Sequence, residues 1–439
     1  LVLLLLAATA QADDVTITLD AASGFVIEDD TSTTERLRVD EATGNISRNG
    51  ALFVHTTGTG NTFAGAGAGN TSTTGSTNAA FGSSALNANT TGLRNSAFGS
   101  EALLSNTSGQ DNTAFGAWAL RLNTTGVRNA AFGSFAMTAN TAGIANSSFG
   151  PSSLRANTSG NGNSAFGEDT LRFNTTGDSN NAFGVNALFS NVTGGFNSAF
   201  GGGTLSSNIT GYQNAAFGYG ALSSNTTANS NSAFGHGALF SNTTGYRNAA
   251  LGRYALRFNT TGRRNAALGH EAGHNQTTGD DNIYIANDGA AAENGKIKIG
   301  NSAHTETFIE GIDGNSATGG VAVLINSSNE LHTLVSSTRF KRDVRDMGEA
   351  SRVLAKLRPV VFRYREAVAE GAIEEEYGLI AEEVAEVAPE LVARDAEGEP
   401  YSVRYHVLPS LLLNELQRLT ARVEQLEAGS ACSTEQKDG

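Results

Sequence analysis

The sequence predicts a mainly β protein: a 17-residue-repeat β-solenoid or β-roll rod, then a small α+β domain ending in a coiled-coil helix. Three observations predict it. Glycine recurs every 17 residues through the middle of the chain, from Gly82 to Gly269. The composition is turn-rich, with 52 Gly, only 5 Pro and 16% charged residues among 439. That mix suits an extended β architecture, whereas a disordered acidic chain carries more charge and more proline. Finally, the composition changes at Ser336, where Gly and Asn thin out and Glu, Arg and Leu rise.

The repeat is justified position by position. Asn stands four residues before each Gly, from Asn78 to Asn265, and Phe directly before it, from Phe81 to Phe234, then Leu251 and Leu268. Leu follows four residues after (Leu86, Leu103, Leu120), with Met137 once and Gly273 at the end. Asn89 to Asn259 come seven residues after, then Gln276, and Gly92 to Gly279 ten after, with Ala228 the exception. A fixed period without insertions makes each unit one coil of a stack. One unit has too few large apolar residues to form a core, so Phe is expected on Phe and Leu on Leu in a continuous interior ladder. The Asn positions can bond coil to coil, and the Gly positions fit turns that need positive φ or close backbone approach. No apolar run keeps a 3.6-residue period, and helical solenoids need more than 30 residues per repeat. At about 4.8 Å per coil, twelve coils span roughly 58 Å.

The flanks divide the rest. Residues 1–12, ending in Ala10-Gln11-Ala12, read as the apolar core and cleavage site of a secretory signal, too short to span a bilayer. With no Met or basic stretch before it, the sequence is expected to begin part-way through that signal. Residues 13–77 read as a β-rich lead-in, 78–286 as the repeat and 287–335 as a β-rich neck with strands near Lys296–Ile299, Thr307–Ile309 and Val321–Ile325. The net charge of −14 argues for solubility. The array is slightly basic, 10 against 5 over residues 78–269, but its Arg residues are scattered, so no nucleic-acid stripe forms. A single cysteine, Cys432, permits no intrachain disulfide and leaves only a bond between subunits open.

Several motifs are products of the repeat. N-x-S/T sequons such as Asn89-Thr90-Thr91 recur at almost every coil. His270-Glu271-Ala272-Gly273-His274 matches a zinc-protease signature but sits in a turn register, and that chemistry needs both His on one helix face. The Gly58–Gly69 run has no strand-then-helix setting and reads as a flexible lead-in, not a phosphate cradle. No metal or cofactor is expected.

Beyond Ser336 the pattern predicts a helix over Ala350–Leu357, a strand over Val360–Tyr364, a helix over Glu382–Val387 and a strand over Tyr401–Tyr405. Leu412, Leu416, Leu419, Val423 and Leu426 then recur at coiled-coil spacing, so a seam is expected over about 410–428, followed by a polar tail, 429–439. Two heptads are marginal alone, so self-association is expected.

Ser336-Ser337-Thr338-Arg339-Phe340-Lys341-Arg342-Asp343-Val344 resembles the start of the endosialidase-type intramolecular chaperone auto-processing domain, serine peptidase family 74, found at the C-termini of phage tail spikes and fibres. Leu357–Glu366, Glu376–Val392 and Tyr401–Leu419 match that family's order and spacing, so the resemblance covers about 336–428. The array upstream is similar in architecture to tail-fibre-like and trimeric adhesin-head proteins. The resemblance implies a homotrimer and a Ser–Lys dyad, with Ser336 as nucleophile, Lys341 as general base and Val335–Ser336 as the bond cut. The chemistry is coherent: a serine hydroxyl needs a base, and a lysine serves once burial lowers its pKa. Three function classes follow: a secreted or surface fibre that releases its chaperone, one that retains it as a trimerisation domain, and an ice- or glycan-binding solenoid using Thr pairs such as Thr90-Thr91. The partner expected in each fibre reading is the chain itself. Neither nucleic acid nor a membrane span in the mature chain is expected, and any receptor is left open.

Overall fold

The alternation of the β-strand decides how each coil is built. In Asn-x-Ala-Phe-Gly, Asn and Ala share one face of the strand and the residue between them shares the other face with Phe. Each coil holds one three-residue strand, Ala79–Phe81 being the first of the counted repeats, and successive strands pair in parallel and in register, as in Phe132↔Phe149. The computed structural model describes residues 15–20, 24–29, 35–309, 321–326, 328, 330–365, 374–395 and 397–435; the leader expected over 1–12 lies outside them. They form two compact units, Leu1–Thr307 and Phe308–Gly439.

The rod is a β-solenoid, as the period predicts. Its interior holds Leu86 and its equivalents together with two small residues per coil, mostly Ala such as Ala80 and Ala85, with Ser148, Ser153, Thr170 and Thr204 in their place in some coils, all of them buried. The Phe residues are not inside. Their rings stack directly, at centroid separations of 4.5–5.1 Å with planes within 11°, but the stack runs along the outer face of the strands. Phe81, Phe115, Phe149 and Phe234 are 37–39% exposed. The reason is the alternation: with Asn78 and Ala80 inward, Phe81 must point out.

Two amide ladders run through the interior. Asn163 Nδ2 donates to Asn146 Oδ1 at 3.1 Å and to Gly177 O at 2.8 Å, while its Oδ1 accepts the N–H and the amide of Asn180. The second ladder links Asn106 to Asn89 and continues to Asn259–Asn242. It ends at Gln276, where Asn259 Oδ1 and Gln276 Nε2 are buried without a partner.

Glycine is demanded where the strand turns. Gly150 has φ +141°, and a Cβ there would meet Gly167 O at 2.5 Å. Gly162, at φ +65°, has only Ser179 Oγ nearby, at 3.7 Å. Gly150→Ala is therefore expected to cost about 3 kcal/mol and Gly162→Ala only about 1 kcal/mol, readable as unequal shifts in the urea midpoint of the rod.

The stack is capped at its start, and its last coils depart from the repeat. The rod begins one coil earlier than the counted repeat: Thr62–Ala64 pairs in parallel with Ala79–Phe81, and Phe63 is fully buried. That coil corrects the reading of Gly58–Gly69 as flexible lead-in. Before it, Val15–Asp20, Gly24–Asp29, Glu35–Val39, Ile46–Arg48 and Ala51–His55 form an antiparallel meander whose last strand covers the edge of Thr62–Ala64. Capping an edge in this way blocks further strand addition. At the other end, Ile283–Ile285 pairs with Ile297–Ile299. Tyr284 replaces the inward Ala, and Gly273 replaces the Leu that would collide with it: a Cβ at 273 would lie 2.6 Å from Tyr284 Cδ2. Burial pushes the Tyr284 phenol well above its ordinary pKa, and a hydrogen bond with Glu293 adds to this.

The second unit has its own small core, Val384, Ala388, Leu391, Val392, Val403 and Leu411. Gly348–Lys356 forms a 3-10 helix over the helix expected at 350–357. Val360–Phe362, Ala381–Val387 and Pro400–Val403 lie within a residue or two of the expected elements. The C-terminal helix runs Leu408–Glu435, longer than the expected seam, and includes Cys432. Among the described residues no helix is long and apolar enough to cross a membrane.

Candidate functional site

The residues around Ser336 are arranged by local backbone bonds. A hairpin of Val323–Ile325 and Leu331–Thr333 precedes them. One turn of 3-10 helix, Thr338–Phe340, follows, closed by Phe340 N–H donating to Ser337 O and Lys341 N–H to Thr338 O. This turn folds the chain back on itself, so that Lys341 Nζ donates to Ser336 Oγ at 3.1 Å. Ser336 and Lys341 are thus brought together, and Val335 leads directly into the pair. Ser337 precedes the turn and makes no side-chain capping bond.

Every residue from Leu331 to Ala350 is exposed in the single chain. Leu334, Val335, Phe340 and Val344 are each more than half exposed, a run of apolar side chains beside the pair. A lysine becomes a base when its surroundings disfavour the ammonium, and desolvation is the strongest such influence. Among the described residues of one chain nothing covers this pair.

The C-terminal helix is fixed to the domain by polar bonds that sequence reasoning did not find. Asn414 Nδ2 donates to Gly348 O at 2.9 Å, Ser351 Oγ to Glu415 Oε1 at 2.6 Å, and Arg418 bridges Glu415 and Glu349. Apart from Arg418 and Glu415, the partners lie more than 60 residues apart, and no local pattern announces them. Nearby, Arg358 grips Glu383 with two guanidinium nitrogens, and this bond holds the Glu383 carboxyl below its usual range. The expected seam residues Leu412, Leu416, Leu419, Val423 and Leu426 all project into solvent, 44–62% exposed.

In the rod, His270–His274 lies in a turn with Glu271 at φ 56°, not on a helix. The first Thr of most Thr pairs is also engaged: Thr90, Thr124 and Thr243 donate their hydroxyls to Thr carbonyls of the next coil at 3.0 Å. These hydroxyls bind coil to coil and are not displayed freely to a ligand.

No curated protein and no solved structure matches the chain. The model of one protein family does match, over residues 336–393. The match begins at the serine that Lys341 contacts and ends within the strand Val392–Arg394. The C-terminal unit therefore carries, from Ser336 to Ala393, the segment described as the chaperone of endosialidase.

Proposed function

We propose that this chain is a secreted, trimeric fibre or adhesin-like structural protein whose C-terminal domain promotes trimer folding and then releases itself by cutting Val335–Ser336. A β-solenoid rod joined to a segment of the chaperone family supports the broader reading of a tail-fibre-like structural protein with an extracellular or surface location. The finer reading is carried by one observation: Lys341 Nζ is in hydrogen-bond contact with Ser336 Oγ at the first residue of the matched segment.

Trimer assembly accounts for two otherwise costly exposures. The helix seam is apolar and uncovered, and so is the run beside the pair. Two or more helices meeting along Leu412–Leu426 would bury the seam. Burial of the Ser336–Lys341 region by neighbouring chains would favour the neutral amine and hold hydroxyl, amine and carbonyl in reacting proximity. Cleavage would thus follow assembly.

The reading is tested by light scattering and intact-mass spectrometry of the full-length chain. A trimer that yields a fragment of residues 336–439 is expected, together with a Leu419→Asp variant that is monomeric and uncut. A monomer at micromolar concentration would overturn trimerisation. A folded trimer that stays whole would instead favour a structural protein that retains its trimerisation domain.

A further inference from the structure

The Phe ladder is a further uncovered apolar surface, and unlike the turns it is free of charge. Fifteen charged residues lie between Asn78 and Gly269, ten basic and five acidic, and every one falls outside the strand of its coil. None stands on the outward strand positions. There the ladder of ten Phe is flanked only by small or hydroxyl-bearing residues such as Ala130, Ser147 and Ser164, with Asn181 the single amide. Leu251, Leu268 and Ile285 continue the stripe, each 37–53% exposed. The turns expose apolar side chains too, such as Phe196 and Tyr219, but they carry all of the charge, and a long, continuous, charge-free apolar face marks an interaction surface.

We infer that this face is where copies of the rod pack on one another, in parallel and in register, so that the chains associate along the solenoid as well as through the C-terminal helix. The inference rests on the trimer reading and specifies its second interface. Period identifies the occupant. The ladder repeats once per coil, about every 4.8 Å over roughly 58 Å, and only a partner with the same rise meets it ring for ring throughout. A second copy of this chain has that rise. Size agrees as well: ten partly exposed rings of ~200 Å², none more than 39% uncovered, leave on the order of several hundred Å² of contiguous aromatic surface, approaching the ~800 Å² per partner of a stable interface. Absence of charge removes the desolvation cost that would oppose the contact.

Hydroxyl-radical footprinting read by mass spectrometry tests this. The full chain carrying Ser336→Ala, which keeps it whole, is compared with the same chain carrying Leu419→Asp as well. In the trimer, oxidation of Phe115, Phe149 and Phe183 is expected to fall roughly tenfold relative to the monomer, because a packed interface core excludes water. Phe173 and Phe258, which stand in turns and are 44% exposed, should oxidise equally in both. Phe63 and Tyr284, fully buried in the rod, should stay unmodified in both, which certifies that the monomer is folded. Equal ladder oxidation in trimer and monomer overturns the rod interface while leaving helix-driven assembly standing. A Ser336→Ala chain that is itself monomeric overturns both.

Discussion

Replacing Ser336 with alanine is expected to abolish release of the C-terminal fragment, and replacing Lys341 is expected to do the same. The proposed step is written from the hydroxyl. Lys341, once neutral, takes the proton from Ser336 Oγ, which attacks the Val335 carbonyl carbon. An ester C–O bond forms as the C–N bond breaks, and the Ser336 nitrogen leaves as an amine, receiving the proton held by Lys341. Water then hydrolyses the ester, giving a Val335 carboxylate, a restored serine hydroxyl and a free amino group at Ser336. Without Oγ no ester can form; without the amine the hydroxyl is a poor nucleophile. The rate should fall by orders of magnitude for either variant, followed by gel densitometry and intact mass over a time course. Ser337→Ala should cut at close to the normal rate, since Lys341 contacts Ser336. If Ser336→Ala is cut as fast as the unaltered chain, the dyad assignment is wrong.

The largest stability loss is expected at the inner amide ladder, from Asn163→Asp. The amide of Asn163 donates to Asn146 Oδ1 and Gly177 O, and the residue is fully buried. Aspartate is isosteric but sets acceptors against acceptors, and when ionised it places an unpaired charge in the interior. A loss of about 4 kcal/mol or more at neutral pH is expected, since each buried unsatisfied group costs about 1–3 kcal/mol and a charge more. The pH dependence has a definite sign. Burial raises the folded-state pKa of the new carboxyl above its unfolded value near 4, so the variant binds more protons folded than unfolded. Its stability relative to the unaltered chain should be greatest below the unfolded pKa and fall as pH rises through the folded one. Urea midpoints at pH 4 and pH 7 check this, and a gap between variant and unaltered chain that does not widen at pH 7 would contradict it.

Much of the molecule was legible from residue spacing. The unbroken 17-residue period demanded a stack, because a coil with so few large apolar residues has no core of its own. The recurrent Asn forecast the inner ladders, and the Gly preceding each turn forecast backbone that other residues cannot adopt. In the C-terminal unit, three of the separated segments fall within the family match over 336–393, and the helix expected at 350–357 is a 3-10 helix.

The misplacement of Phe has a specific cause. Hydrophobicity puts Phe inside, while strand alternation puts it on the face opposite Asn and Ala. Alternation wins because the interior of so narrow a coil has room for Ala and Leu, and the backbone cannot turn over within three residues. The end coils were hidden for a related reason. Gly273 looks like a lapse in the repeat until Tyr284 fills its space, and Phe63 breaks the Ala-Phe order of the coils it begins. Each is a compensation between coils, visible only when neighbours in the stack are known. The contact between Lys341 and Ser336 likewise needed coordinates: spacing places two residues five apart in many conformations, and it is the single 3-10 turn between them that brings amine to hydroxyl.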